Sequence, residues 1–97
     1  GRLSLNQLIN LVCENPAKIF GIQNKGFINE GYDADFTIVD MNKIIVIKNE
    51  NMESKCGWSP FNGFEFKGTP MATIIAGKIK MKEGKILGEP EGTPLKF

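Results

Sequence analysis

Gly31-Tyr32-Asp33-Ala34-Asp35-Phe36-Thr37-Ile38-Val39-Asp40 is the stretch on which the fold turns. Its first half holds Gly and carboxylates, which favour turns, and its second half is aromatic and β-branched, so a turn here feeds a strand over residues 36–40. Gly31 supplies an unusual backbone angle, and Asp33 or Asp35 is placed to bond a nearby amide before the strand begins. With Asp40 close by, the cluster also resembles a calcium or magnesium loop. The spacing rejects that: where an EF-hand needs its Gly and its closing bidentate Glu, counting from Asp33, this chain has Ile38 and Ile44.

Upstream, Leu3-Ser4-Leu5-Asn6-Gln7-Leu8 holds a helix start, with Ser4 as cap and Gln7 completing a capping box. Leu5, Leu8, Ile9 and Val12 recur at helical spacing and Leu11 widens the stripe, so one face must be buried against something large. Pro16 disfavours a helical Asn15. A break is therefore predicted, with Asn15 as cap, Pro16 at the first helical position and Gly21 just past a second short turn over residues 16–20. The two pieces make a bent helical unit over residues 1–21.

Residues 22–97 read as the β portion. Ile44 to Ile47 form a second β-branched run, able to be covered on both faces. Residues 48–66 are a long loop centred on Trp58-Ser59-Pro60-Phe61-Asn62-Gly63. Strands at 71–76 and 78–81 meet at Ala76-Gly77, and Glu83-Gly84 turns the chain into Lys85-Ile86-Leu87, a meander. The tail, 88–97, rich in Pro and Gly, is expected to wrap a surface.

Composition narrows the function. Twelve Lys and Arg against eleven Asp and Glu leave a formal charge of +1 on 97 residues, too small a field for nucleic acid or a membrane surface. The absence of His removes the commonest metal ligand and proton carrier. Cys13 and Cys56 form no C-x-x-C pair, which excludes a zinc knuckle and a redox dithiol and points to a reducing, cytoplasmic setting. The chain begins Gly1-Arg2-Leu3 directly before a helix signal, as a piece of something longer would.

Three side-chain groups invite chemical readings. Lys80-Met81-Lys82 resembles a biotin or lipoate carrier turn, but its flanks are Lys80 and Glu83 where such carriers have small and aliphatic residues. Tyr32, Trp58, Phe61, Phe64 and Phe66 serve either as a stacking platform for a sugar or base or as anchors of a long loop. Cys56 beside Lys55 lacks a His base and reads as inert. No catalytic, cofactor-binding or metal residue is nominated.

The run Asn15-Pro16-Ala17-Lys18-Ile19-Phe20-Gly21, then Lys25-Gly26-Phe27-Ile28-Asn29-Glu30-Gly31-Tyr32-Asp33-Ala34-Asp35, resembles the C-terminal segment of the amidohydrolase superfamily, whose pattern there is N-P-A-x-x-x-G and K-G-x-I-x-x-G-x-D-A-D. Lys55 to Gly63, Thr73 to Lys78 and the ending Pro94-Leu95-Lys96-Phe97 are similar to the tail of dihydroorotases, with allantoinases and hydantoinases as near neighbours. The resemblance implies an α+β, mainly β fold: a helix that ends a barrel, followed by part of a small composite β-sandwich. It implies a parent enzyme that hydrolyses a cyclic amide in pyrimidine biosynthesis, with zinc held by an H-x-H pair, a carboxylated Lys, further His and an Asp. None of those positions exists here, so this chain alone is expected to be inactive.

The leading reading is thus a structural segment whose partner is the missing N-terminal barrel. Without that barrel, the exposed Leu5, Leu8, Ile9 and Val12 face and the open edges of a half-sandwich are expected to pair with another chain, or the helix to re-dock on the sheet. The rivals are a stand-alone β-rich binding module using the Trp58 to Phe66 aromatics and a hydrolase using Asp33 and Asp35.

Overall fold

In the computed structural model, which describes residues 2–97, the first helix opens on the expected capping box. Gly1, at the head of the unit expected over 1–21, lies outside the described residues. Ser4 Oγ accepts the Gln7 N–H at 3.2 Å, and Gln7 Oε1 accepts the Ser4 N–H at 2.8 Å, which satisfies amides that a helix start otherwise leaves bare. α1 runs Leu5–Ile9. The break expected at Asn15 does not occur. A π turn, Asn10–Glu14, leads directly into α2, Asn15–Phe20, and Asn15 itself is helical at φ −65°, ψ −45°. Pro16 has no N–H and its ring crowds the carbonyl four residues back. The wider i→i+5 spacing, in which Asn15 donates to the Asn10 carbonyl, admits the ring without ending the helix. Gly21 closes α2 in the left-handed region, as expected.

Four antiparallel strands follow in the order β1 (Phe36–Val46), β2 (Glu65–Ile75), β3 (Lys78–Lys82) and β4 (Lys85–Ile86). The α+β, mainly β class read from the sequence is the one observed. The runs expected as separate strands at 36–40 and 44–47 are two halves of β1. The register slips between Asp40 and Ile44, and Asp40 Oδ1 accepts the N–H groups of Asn42 and Lys43 at 2.9 and 3.2 Å. One side chain thus satisfies the amides that the bulge takes out of the ladder. Opposite, the second slip sits beside Pro70, which has no N–H to give a neighbouring strand. β2 starts at Glu65, inside the stretch expected to be loop. The sheet covers residues 44–47 on one face only: Ile45 and Ile47 are half-buried, Ile44 and Val46 exposed.

Both hairpin turns are where the sequence placed them. Ala76 and Gly77 have φ of 50° and 78°, and Glu83 and Gly84 repeat the pattern at 51° and 82°. Two positive angles in succession match the strand twist, and Gly as the second residue carries its angle without strain.

Burial is sparse. Among the described residues Ala17, 6% exposed, is the sole buried hydrophobic one, whereas Leu8, Ile9 and Val12 are 45%, 39% and 62% exposed. The chain exposes 8099 Å², against about 5,500 Å² for a compact monomer of this mass. Its radius of gyration is 15.3 Å, against about 13 Å for a compact domain of this length. No helical Cα lies within 8 Å of a strand Cα, so the helix has not re-docked on the sheet. No helix among the described residues is long and apolar enough to cross a membrane.

Gly26 sets a close contact between the helix and the chain that follows it. At φ +91° it lies so close to α2 that a Cβ would fall 2.6 Å from the Ala17 Cβ and 2.7 Å from the Cys13 carbonyl oxygen. Gly26→Ala is therefore expected to cost about 1–3 kcal/mol, the usual cost of overpacking, read as a lower urea midpoint with the loss concentrated in the amide protection of residues 13–21.

Candidate functional site

The carboxylates that the sequence reading weighed as a metal or hydrolytic site form an ionic clasp. Residues 22–35 leave the helix as irregular chain, pinned by Asp33 N–H donating to the Asn24 carbonyl at 2.9 Å. That bond brings Lys25 against both acids. Lys25 Nζ lies 2.9 Å from Asp33 Oδ2 and also bonds Asp35 Oδ2. The other oxygen of Asp35 accepts the Ala76 N–H at 2.8 Å, and the Ala34 carbonyl accepts the Gly77 N–H at 2.9 Å. Asp35 does bond an amide, but one 41 positions away in the β2–β3 turn. The hydrogen bond from Lys25, then that from Ala76, holds the Asp35 carboxyl below the usual carboxylate range. Bonds to Asp35 and then Asp33 raise the Lys25 ammonium above its ordinary value.

Both oxygens of Asp35 are engaged, so neither is free to take a proton from a substrate. The residues present do not fit zinc either. The chain has no His, the Lys25 ammonium fills the place between the carboxylates, and among the described residues no three His, Cys, Asp or Glu side chains converge as a metal cage would.

Around the clasp, Phe27 packs edge-on against Tyr32 at 6.1 Å between centroids, with Lys18 Nζ 5.3 Å from its ring centre. The tail crosses from β3 to the end of the helix. Lys80 Nζ donates to the Glu89 carbonyl at 3.0 Å, Glu91 pairs with Lys78 and Lys80, and Gln23 N–H donates to the Lys96 carbonyl at 2.7 Å. Lys82 closes β3 opposite Lys85, next to the Glu83-Gly84 turn and not at its tip.

The loop after β1 is cross-linked from within. Asn49 N–H donates to Asn62 Oδ1 at 2.8 Å, and Ser59 N–H donates to Asn49 Oδ1 at 2.9 Å. Phe61, Phe64 and Phe66 pack on one another with centroids 5.9 to 6.3 Å apart, while Trp58 stands apart, 57% exposed. Cys56 Sγ lies 3.3 Å from the Ser54 hydroxyl, which draws its thiol below the usual value. No cationic side chain or base adjoins it among these contacts.

The clasp has a pH signature with a defined sign. Asp35 is depressed in the folded chain, so its contribution is complete above the ordinary carboxylate range and is lost as pH falls through the lowered value; Lys25 is raised, so its share is complete below the ordinary Lys range and lost as pH rises through the raised value. Urea unfolding at a series of pH values is expected to show a plateau between those limits. Asp35→Asn, which keeps an oxygen for Ala76, should cost less than Asp35→Ala, which at neutral pH should cost about 1–2 kcal/mol, and the acid limb should shrink in both.

Comparison with known proteins accords with this geometry. The profile described as Amidohydrolase family matches residues 1–80, which include the entire helix and clasp. The dihydroorotase of Pyrococcus furiosus is 46% identical over 92 residues, covering 95% of this chain and 22% of that protein. That of Methanothermobacter thermautotrophicus is 41% identical over 87 residues, covering 90% and 20%. Among solved structures, the L-hydantoinase (dihydropyrimidinase) from Arthrobacter aurescens superposes with a TM-score of 0.85 at 37% identity, over 92% of this chain and 20% of that one. The chain spans about a fifth of the length of the curated relatives it matches. By the extent of these matches, the chain belongs to the amidohydrolase family.

Proposed function

We propose that this chain is the C-terminal portion of a dihydroorotase, a segment that braces a catalytic barrel carried on preceding polypeptide and contributes no catalytic side chain itself. The observation that carries the reading is the uncovered helix face. Leu5, Leu8, Ile9 and Val12 are each more than a third exposed, and burying each such side chain is worth about 1.5–3 kcal/mol. Relatives several times longer supply the polypeptide that would cover it. Identities of 46% and 41% to dihydroorotases, against 38% to a hydantoinase of Ralstonia pickettii, favour dihydroorotate as the substrate of the whole enzyme. The zinc of such an enzyme would be held upstream, since the residues here do not fit it.

On this reading the clasp sets the angle between the helix that ends the barrel and the sheet. The Lys25 to Asp35 pairing is a positioning device, and the chemistry of ring opening lies outside these residues. A cytoplasmic setting accords with the reading. The aromatics of the loop after β1 serve as its anchor: their edge-on packing within the chain turns the phenylalanine rings toward one another.

Complementation tests this. The chain is mixed with the Pyrococcus furiosus dihydroorotase lacking the matching last fifth of its length. The chain alone is expected to leave dihydroorotate unchanged, while the mixture co-elutes and turns it over. Leu8→Asp with Val12→Asp should weaken the association at least about 100-fold. Turnover by the 97-residue chain alone, or elution of the two parts as separate species with no gain in activity, would sink the proposal.

A further inference from the structure

Nine Asn occur in the sequence, and Asn62 alone is followed by Gly. An Asn–Gly step is chemically labile, because without a side chain on the following residue its backbone nitrogen reaches the Asn side-chain carbon with least hindrance. The structure places this step at the base of the loop, where both reacting groups are occupied. Asn62 Oδ1 accepts the Asn49 N–H at 2.8 Å, and the Gly63 N–H, which must be lost before its nitrogen can attack, donates to the Ile47 carbonyl at 2.7 Å. Asn49 in turn is held by the Ser59 N–H on its own side-chain oxygen at 2.9 Å.

We infer that Asn62–Gly63 is a self-modification site whose rate is gated by closure of this loop. In the step, the deprotonated Gly63 nitrogen bonds to Asn62 Cγ, the Cγ–Nδ2 bond breaks and ammonia leaves, giving a five-membered succinimide. Water then opens the ring at either carbonyl, leaving Asp or isoaspartate at position 62. The two products differ in effect. Asp keeps an oxygen for the Asn49 N–H. Isoaspartate adds a carbon to the backbone and draws Gly63 away from Ile47, undoing the paired bonds, Gly63 N–H to Ile47 O and Ile47 N–H to Phe64 O, that close the loop between β1 and β2. The modification is therefore slow while the loop is shut and, once made as isoaspartate, keeps it open.

The test follows the mass gained when NH is exchanged for O. The chain is incubated at neutral pH, natively and in urea, and digested with trypsin; the peptide from Cys56 to Lys67 holds no other Asn. Conversion is expected at Asn62, faster in urea than in the native chain. Asn49→Pro, at the first position of the short Asn49–Asn51 turn, removes both the donor to Asn62 and the acceptor of Ser59. It should bring the native rate towards the urea rate. Asn49→Ala removes the Ser59 bond alone and should speed conversion by about two- to ten-fold, the range for one net hydrogen bond. Asn62→Gln should abolish the product. Absence of conversion in urea, equal rates in the native chain and in urea, or an unchanged native rate in Asn49→Ala would overturn the inference.

Discussion

The carboxylate of Asp35 is the point through which the helical and β parts of this chain are coupled. No helical Cα lies within 8 Å of a strand Cα, so the link runs through the chain between them. The helix is fixed to the chain after it by the Gly26 approach to Ala17, and that chain is fixed to the sheet by Asp35, with one oxygen on Lys25 and the other on the Ala76 amide. The bond from Gly77 to the Ala34 carbonyl and the tail's return to Gln23 reinforce the same junction. Charge-assisted bonds of this kind are short and directional, so they transmit orientation where an apolar contact would allow sliding.

The energetics are those of a chain with little buried apolar surface. An accessible surface of 8099 Å² and, among the described residues, a core of a single Ala leave little hydrophobic stabilisation, set against whole-domain stabilities of only about 5–15 kcal/mol. Local structure is nonetheless well specified, by a capping box, two tight turns, a bulge satisfied by Asp40 and a loop knotted by Asn49. Short-range bonds shape each element, and the large burial that would lock the elements together belongs to surface still open.

Much of this was legible in the residues. Ser4 and Gln7 named the helix start, and Ala76-Gly77 and Glu83-Gly84 named the hairpins, because each signal lies within a few positions and depends on backbone angles that few residues adopt. Pro16 misled, since its preference for ending a helix was met by a change of pitch. Asp40 misled in the opposite way: a turn-forming side chain satisfied the bulge of a continuing strand, so one strand looked like two. Lys25 opens the K-G-x-I-x-x-G-x-D-A-D run, which marks the family resemblance but not its ion pairs. Its partners stand eight and ten positions on, at no regular period, and the Ala76 amide is farther still; only the folded path brings them together. The same holds for Asn49 and Asn62, whose bond closes a loop that the residues marked by its aromatics and turn formers alone.

The π turn has a geometric result of its own. Leu5, Leu8 and Ile9 stand before it and Ile19 and Phe20 after it, all exposed. A helix of uniform pitch would offer these groups as one straight rail. Widened for a single turn, it presents two offset facets, like a shaft with a keyway cut across it. A body moulded to both facets can neither roll about the axis nor slip along it, so one proline ring fixes the rotational setting of whatever lies beside the helix.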